Sequence, residues 1–174
     1  MSFDVMNYQS SARLLGLPLV HITTGALVDG VYRRGIAKGW VAIGDISFGV
    51  LLSFGGVSVG GVSVGGLATG VLSVGGLALG MLSIGGLGFG ALAVGGAAFG
   101  WSAALGGLAV ARDFATGGAA VALHANDALA AEYFAAQPFF RAASWLMEYS
   151  IALVFLPLLI ALAARVRQKI RRAS

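Results

Sequence analysis

The sequence contains no cysteine, which excludes disulfides, thiolate metal sites and a cysteine nucleophile. Charge is almost as scarce. Asp, Glu, Lys and Arg make up 10% of the 174 residues, against roughly a quarter in an ordinary soluble domain. None of them falls between Asp45 and Arg112. So little charge cannot cover a surface that faces water. Disorder is excluded too, because disordered chains pair low hydrophobicity with high charge, and here 58% of residues are apolar. The remaining solvents are lipid and further copies of the same chain. The apolar stretch from Leu14 to Val28 follows Arg13 but is broken by Pro18, His21, Thr23 and Thr24. It has no small-residue cleavage pattern after it, so it is expected to belong to the mature fold.

What the chain has in plenty is glycine, at 28 positions, and the glycines are periodic. From Gly55 the register reads GGVSV, GGVSV, GGLAT, GVLSV, GGLAL, GMLSI, GGLGF, GALAV, GGAAF, ending at Phe99. GWVAI from Gly39 and GDISF from Gly44 precede it, and GVLLSF from Gly49 carries one extra residue. A similar slip at WSAAL leads into GGLAV from Gly106, then GGAAV from Gly117. The unit is Gly, a variable residue, Val/Leu/Ile, Ser/Ala, and a large apolar residue. A weaker ten-residue rhythm lies over it, since the second position alternates between glycine and something larger: Gly66, Val71, Gly76, Met81, Gly86, Ala91, Gly96, Trp101.

Hydropathy alone would assign this tract to membrane helices. Two arguments oppose that. A step of five residues turns a helix by roughly 500°, so the glycines would spiral over every face, whereas helix-packing glycines recur every four. Glycine also costs a helix interior about 1 kcal/mol relative to alanine, and about twenty glycines lie between Asp45 and Arg112. We therefore expect a mainly β fold. Residues 1–38 form an N-terminal cap, 39–125 a right-handed four-sided β-solenoid of five-residue repeats, and 126–174 a helical segment with one short and one long apolar helix. The corners fall at Gly55, Gly60, Gly65, Gly70, Gly75, Gly80, Gly85, Gly90, Gly95 and Gly100, where a residue without Cβ takes conformations closed to others.

The tract resembles the pentapeptide-repeat family. The resemblance implies four-sided coils of about twenty residues, with a small residue and, two places on, a large apolar one pointing inward. Gly75 with Leu77 and Gly85 with Leu87 would take those places. The chain departs from the family at the outward positions, where Val74, Leu79, Ile84, Phe89, Val94 and Phe99 stand instead of polar groups. That removes the DNA-like acidic surface some members use, so no nucleic-acid partner is expected. The blocks GLPLVHI (16–22), GWVAIGD (39–45) and HAND (124–127) also resemble a bacterial membrane-protein family, which implies no activity.

A solenoid whose coils bond to one another can present apolar walls to lipid, provided its open ends sit at the interfaces. At twenty residues per coil the uncharged stretch from Ile46 to Ala111 reaches only ~16 Å at ~4.8 Å per layer, short of the bilayer's ~30 Å core. Coils of ten would reach ~32 Å by the same spacing but leave almost no interior. In the C-terminal part, Asn126 or Asp127 can cap a short helix through Gln137, and Pro138 suits the first turn of the next. The second helix should run from Phe139 to about Arg172 and cross the membrane over about 143–164. Trp145 and Tyr149 stand at one end, and the lipid-headgroup anchors Arg165, Arg167, Lys169, Arg171 and Arg172 at the other. Arg13, Arg33, Arg34 and Lys38 precede the solenoid. If the solenoid crosses once and the helix returns, most basic residues lie on one side, which makes both termini cytoplasmic in a bacterial inner membrane.

No acid–base or nucleophile constellation is present, so no enzyme, cofactor or metal is expected. His21 and His124, the only histidines, flank the tract and read as hydrogen-bonded cap residues. Asp45 reads as a cap acceptor rather than an intramembrane acid. The serines Ser47, Ser58, Ser63, Ser73 and Ser83 recur because they are small. GxGxxG-like strings occur without the lysine or βαβ context that phosphate binding needs. The expected function is a non-enzymatic integral membrane scaffold or assembly module, homo-oligomeric through its flat walls. An oligomeric pore component and a self-assembling filament are the alternatives.

Overall fold

The computed structural model describes residues 7–28, 31–146 and 149. The chain divides into two compact units, Met1–Glu132 and Tyr133–Ser174. The first is built almost wholly of strands: β1 (Asn7–Gln9), β2 (Arg13–Leu14), β3 (Leu17–Pro18), β4 (Val20–Thr23), β5 (Ala26–Val28), β6 (Val31–Arg33), β7 (Ile36–Ala111), β8 (Phe114–Val121) and β9 (His124–Ala125). The uncharged tract that hydropathy would call helical is extended backbone throughout.

The long run β7 lies alongside itself at a fixed step. Gly65 meets the backbone of Gly55, Gly66 that of Gly56, Gly75 that of Gly65 and Gly76 that of Gly66. Two consecutive positions keep the same offset of ten, so neighbouring layers run parallel. The six-residue units stretch the step to eleven: Gly55 meets Gly44, and Gly106 meets Gly95. The same ladder carries on into β8, where Ala104 pairs with Ala115 in parallel, and into β9, where Phe114 pairs with His124. Each layer is therefore ten or eleven residues, two five-residue segments, and not the twenty of a four-sided coil. The ten-residue rhythm at the second position is this step.

Side chains correct the inward positions as well. The fourth residue of each unit is the one buried: Ser58, Ser63, Ala68, Ser73, Ala78 and Ser83 are fully enclosed. Strand alternation explains it, because the third and fifth residues flank the fourth and must point the opposite way. Leu87, a third-position residue expected inside, is 45% exposed. Val94, expected outside, is the exception that is buried.

The glycines also act differently from corner residues in a left-handed conformation. Among the described glycines only Gly16 has a positive φ, at 80°. Gly75 is needed for close approach instead: a methyl group there would sit on the Gly65 carbonyl oxygen. The Cβ direction at this position runs along the stack, into the layer before.

The ladder begins earlier than Gly39. Strand β4 pairs in parallel with the Val41–Ile43 segment of β7, the longer step being taken up by the β5–β6 hairpin. The outer edge of β4 is covered by β1 in antiparallel register, Tyr8 opposite Ile22. A second hairpin, β2–β3, turns through Leu15 and Gly16 with φ of 51° and 80°.

Helix α1 (Ala128–Ala136) starts where Asp127 Oδ1 accepts the Ala130 N–H at 2.7 Å, the N-cap arrangement the sequence suggests. A second helix, α2, covers 138–146, and Tyr149 is also helical. In the second unit Phe134 and Phe140 meet edge-on with centroids 4.5 Å apart. No helix among the described residues is long and apolar enough to cross a membrane. Of the span expected over 143–164, only 143–146 and 149 are described. The five basic residues from Arg165 to Arg172 lie outside the described residues.

Candidate functional site

The candidate site is the surface that the repeat builds: two apolar walls joined by two edges, finished by polar ends. It follows from how little lies inside. A methyl group on Gly88 would stand 3.2 Å from Ser83 Oγ and 3.7 Å from the Ala93 Cβ. The segments carrying Ser83, Gly88 and Ala93 thus approach to within one small side chain at this point. Fourth positions are accordingly filled by Ser, Ala and Gly, and large apolar residues such as Phe48, Leu79, Met81, Phe89 and Trp101 are exposed. Ser58, Ser73 and Ser83 donate to the carbonyls of Leu67, Leu82 and Leu92, nine residues on, at 3.4–3.5 Å. The buried hydroxyls of Ser47, Ser53 and Ser63 have no hydrogen-bond partner among the described residues.

The two segment types differ. On side one, opening at Gly55, Gly65, Gly75, Gly85 and Gly95, the second residue is always glycine, so this edge is bare backbone. On side two, opening at Gly60, Gly70, Gly80 and Gly90, it is Gly61, Val71, Met81 and Ala91, with Trp101 next. Met81 is 62% and Trp101 70% exposed. One edge is smooth and the other studded.

Residues at one unit position stack in columns. Phe48, Val59, Thr69, Leu79, Phe89 and Phe99 form such a column on side one, at steps of ten or eleven. The rings of Phe89 and Phe99 lie 4.8 Å apart and 8° from parallel, which measures the layer spacing directly. Stacked rings and aliphatic columns make each wall a flat apolar surface with no charged group between Asp45 and Arg112.

The ends are polar. Asp45 Oδ2 accepts the Gly35 N–H at 3.1 Å. His21 is mostly buried; its Nδ1 accepts the Lys38 N–H at 2.9 Å, and its Nε2 lies 3.2 Å from Asn7 Oδ1. At the other end Asn126, in a left-handed conformation at φ 54°, uses its amide as a substitute peptide. Its Oδ1 accepts from the Gly117 N–H and its Nδ2 donates to the Gly117 carbonyl, both at 2.9 Å. This satisfies backbone groups that the next layer would otherwise take up. His124 stacks on Phe114 and bonds Asp127 through Nδ1 at 2.8 Å. The Asp127 carboxyl is held below its usual range, first by the Ala130 N–H and then by His124. The HAND block is thus an end cap, a role for Asn126 that spacing alone does not reveal. Ser102 Oγ donates to Asp113 Oδ2 at 3.2 Å, and Arg112 lies 3.8 Å from Asp113.

The two histidines are engaged at opposite ends of the ladder and do not come together. Among the described residues no group of three His, Cys, Asp or Glu side chains is placed to hold a metal. Of the glycines expected at corners, those from Gly55 to Gly95 face the backbone ten or eleven residues before them, while Gly100 faces Ala103 in its own segment; Asp45 stands at the boundary of the uncharged band. No protein-family model, curated protein or solved structure matches the chain.

Proposed function

We propose that the tract is a right-handed two-sided β-solenoid that spans a bilayer as a non-enzymatic scaffold, its walls facing lipid and further copies of itself. The observation that carries this reading is a length. Asp45 and Arg112 bound about six and a half layers, or about 31 Å at ~4.8 Å per layer, and the hydrocarbon core is ~30 Å thick. The ten-residue step removes the shortfall that a twenty-residue coil would have left.

Two further features support it. Trp40 and Trp101 occupy the same column six layers apart, about 29 Å by the same spacing, and tryptophans favour the two membrane–water interfaces. The backbone bonds layer to layer, so it offers lipid no unpaired edge along its walls. Handedness follows the general preference of parallel crossovers. In this reading both termini are cytoplasmic in a bacterial inner membrane, where the basic residues Arg165, Arg167, Lys169, Arg171 and Arg172 meet anionic headgroups. Flat walls of regular pitch suit lateral homo-association.

The test is depth-resolved quenching of Trp101, in a variant lacking the other tryptophans, by lipids brominated at successive acyl positions. Strong quenching by shallow bromines and weak quenching by deep ones is expected. Full release by carbonate, with no quenching at any depth, would overturn the membrane reading.

A further inference from the structure

A groove with a volume of about 310 Å³ lies at the Lys38 end of the tract, at the low end of small-molecule sites. Its lining includes Gly39, Gly49 and Gly60, ten and then eleven residues apart, and Lys38, Phe48 and Val59 at the same two steps, with Leu17. That spacing is the layer step, so the groove runs along the stack from one layer to the next. Two sequence features open it. The extra residue in GVLLSF displaces the chain after Gly49, and Gly61 leaves the studded edge without a side chain in the following layer.

The groove is graded in charge. Lys38 is its one charged residue and lies before Asp45, outside the uncharged band, while Phe48, Val59 and Gly60 lie within it. The Lys38 side chain is exposed; its main chain is fixed by the bond from its N–H to His21. Among the described residues Lys38 forms no ion pair. A cation at the headgroup level with an apolar channel leading inward, parallel to the bilayer normal, matches one class of molecule.

We propose that this groove seats one acyl chain of an anionic membrane phospholipid, with its phosphate on Lys38. The inference rests on the membrane reading above and adds a specific lipid site to it.

The test uses the full chain in phosphatidylcholine vesicles doped with a phosphatidylglycerol that carries a photoactivatable group in its acyl chain. Crosslinks are mapped by mass spectrometry. In the native chain they concentrate between Phe48 and Gly60. Val59→Trp fills the groove from an outward-facing, partly exposed position and abolishes that concentration, whereas Val71→Trp, on the studded edge, leaves it unchanged. Lys38→Gln lowers the preference for the anionic probe over a zwitterionic one by about fivefold, the share of one lysine near an anionic surface. Labelling spread evenly along the band, indifferent to Val59→Trp and Lys38→Gln, would sink the lipid site and leave the membrane reading standing. Carbonate release of the same sample, with no crosslinks, would remove both.

Discussion

The two segments that alternate along the ladder have the same backbone and the same length, yet they tolerate different residues. Side one keeps glycine at its second position in every layer from Gly56 to Gly96, while side two admits Val71, Met81 and Trp101. The cause is local geometry: a methyl group on Gly76 would lie 2.9 Å from the Gly66 carbonyl oxygen, whereas Val71 projects freely. The first position is strict on both sides, and the fourth is filled by Ser, Ala and Gly. The lesson is that a five-residue repeat can encode a ten-residue object, with its asymmetry hidden in one column.

The hardest way to break this arrangement is at the first position. Gly75→Ala sets a methyl group on a backbone oxygen of the layer before, and should cost more than about 4 kcal/mol. Loss of the β-sheet circular dichroism signal in detergent would register it; an unchanged midpoint of denaturation would refute the close-approach account. The second position should separate the sides. Gly76→Ala is expected to cost about 1–3 kcal/mol as overpacking, and Val71→Ala less than about 0.5 kcal/mol as a surface change. Equal costs would mean the edges are equivalent after all.

A subtler contrast lies within the interior. Ser63 buries a hydroxyl without a hydrogen-bond partner among the described residues, so Ser63→Ala should stabilise by about 1 kcal/mol. Ser73 donates to the Leu82 carbonyl at 3.5 Å, and Ser73→Ala should bring no such gain. Thermal melts of the two variants side by side decide it.

The smallest effect belongs to the end cap. Asp127 has its carboxyl held below the usual range by the Ala130 N–H and His124. A depressed folded-state value means the contribution is present above the unfolded carboxylate range and lost as pH falls through the folded one. The amide resonance of Ala130 should follow that titration on acidification. Asp127→Asn should keep the cap and remove the pH dependence.

Much of this was legible in the chain. Glycine every fifth position excluded helices, and the alternation at Gly66, Val71, Gly76 and Met81 already carried the ten-residue step. A coil of ten residues leaves almost no interior, an objection that holds for Val or Leu inside and fails for Ser and Ala. The twenty-residue coil came from a family resemblance whose inward pair this chain does not use. The bond of Asn126 to Gly117 and the groove at Lys38 were not legible. Both depend on which residues ten or eleven apart become neighbours, and a single inserted residue, as in GVLLSF, resets that register.

A ladder of identical steps has a discrete length. Deleting one complete turn, such as 65–74, would remove a single rung of about 4.8 Å while leaving both faces, both edges and both ends chemically as they were. A span built this way matches the thickness of its surroundings in whole increments, where a helix would tilt to accommodate a mismatch.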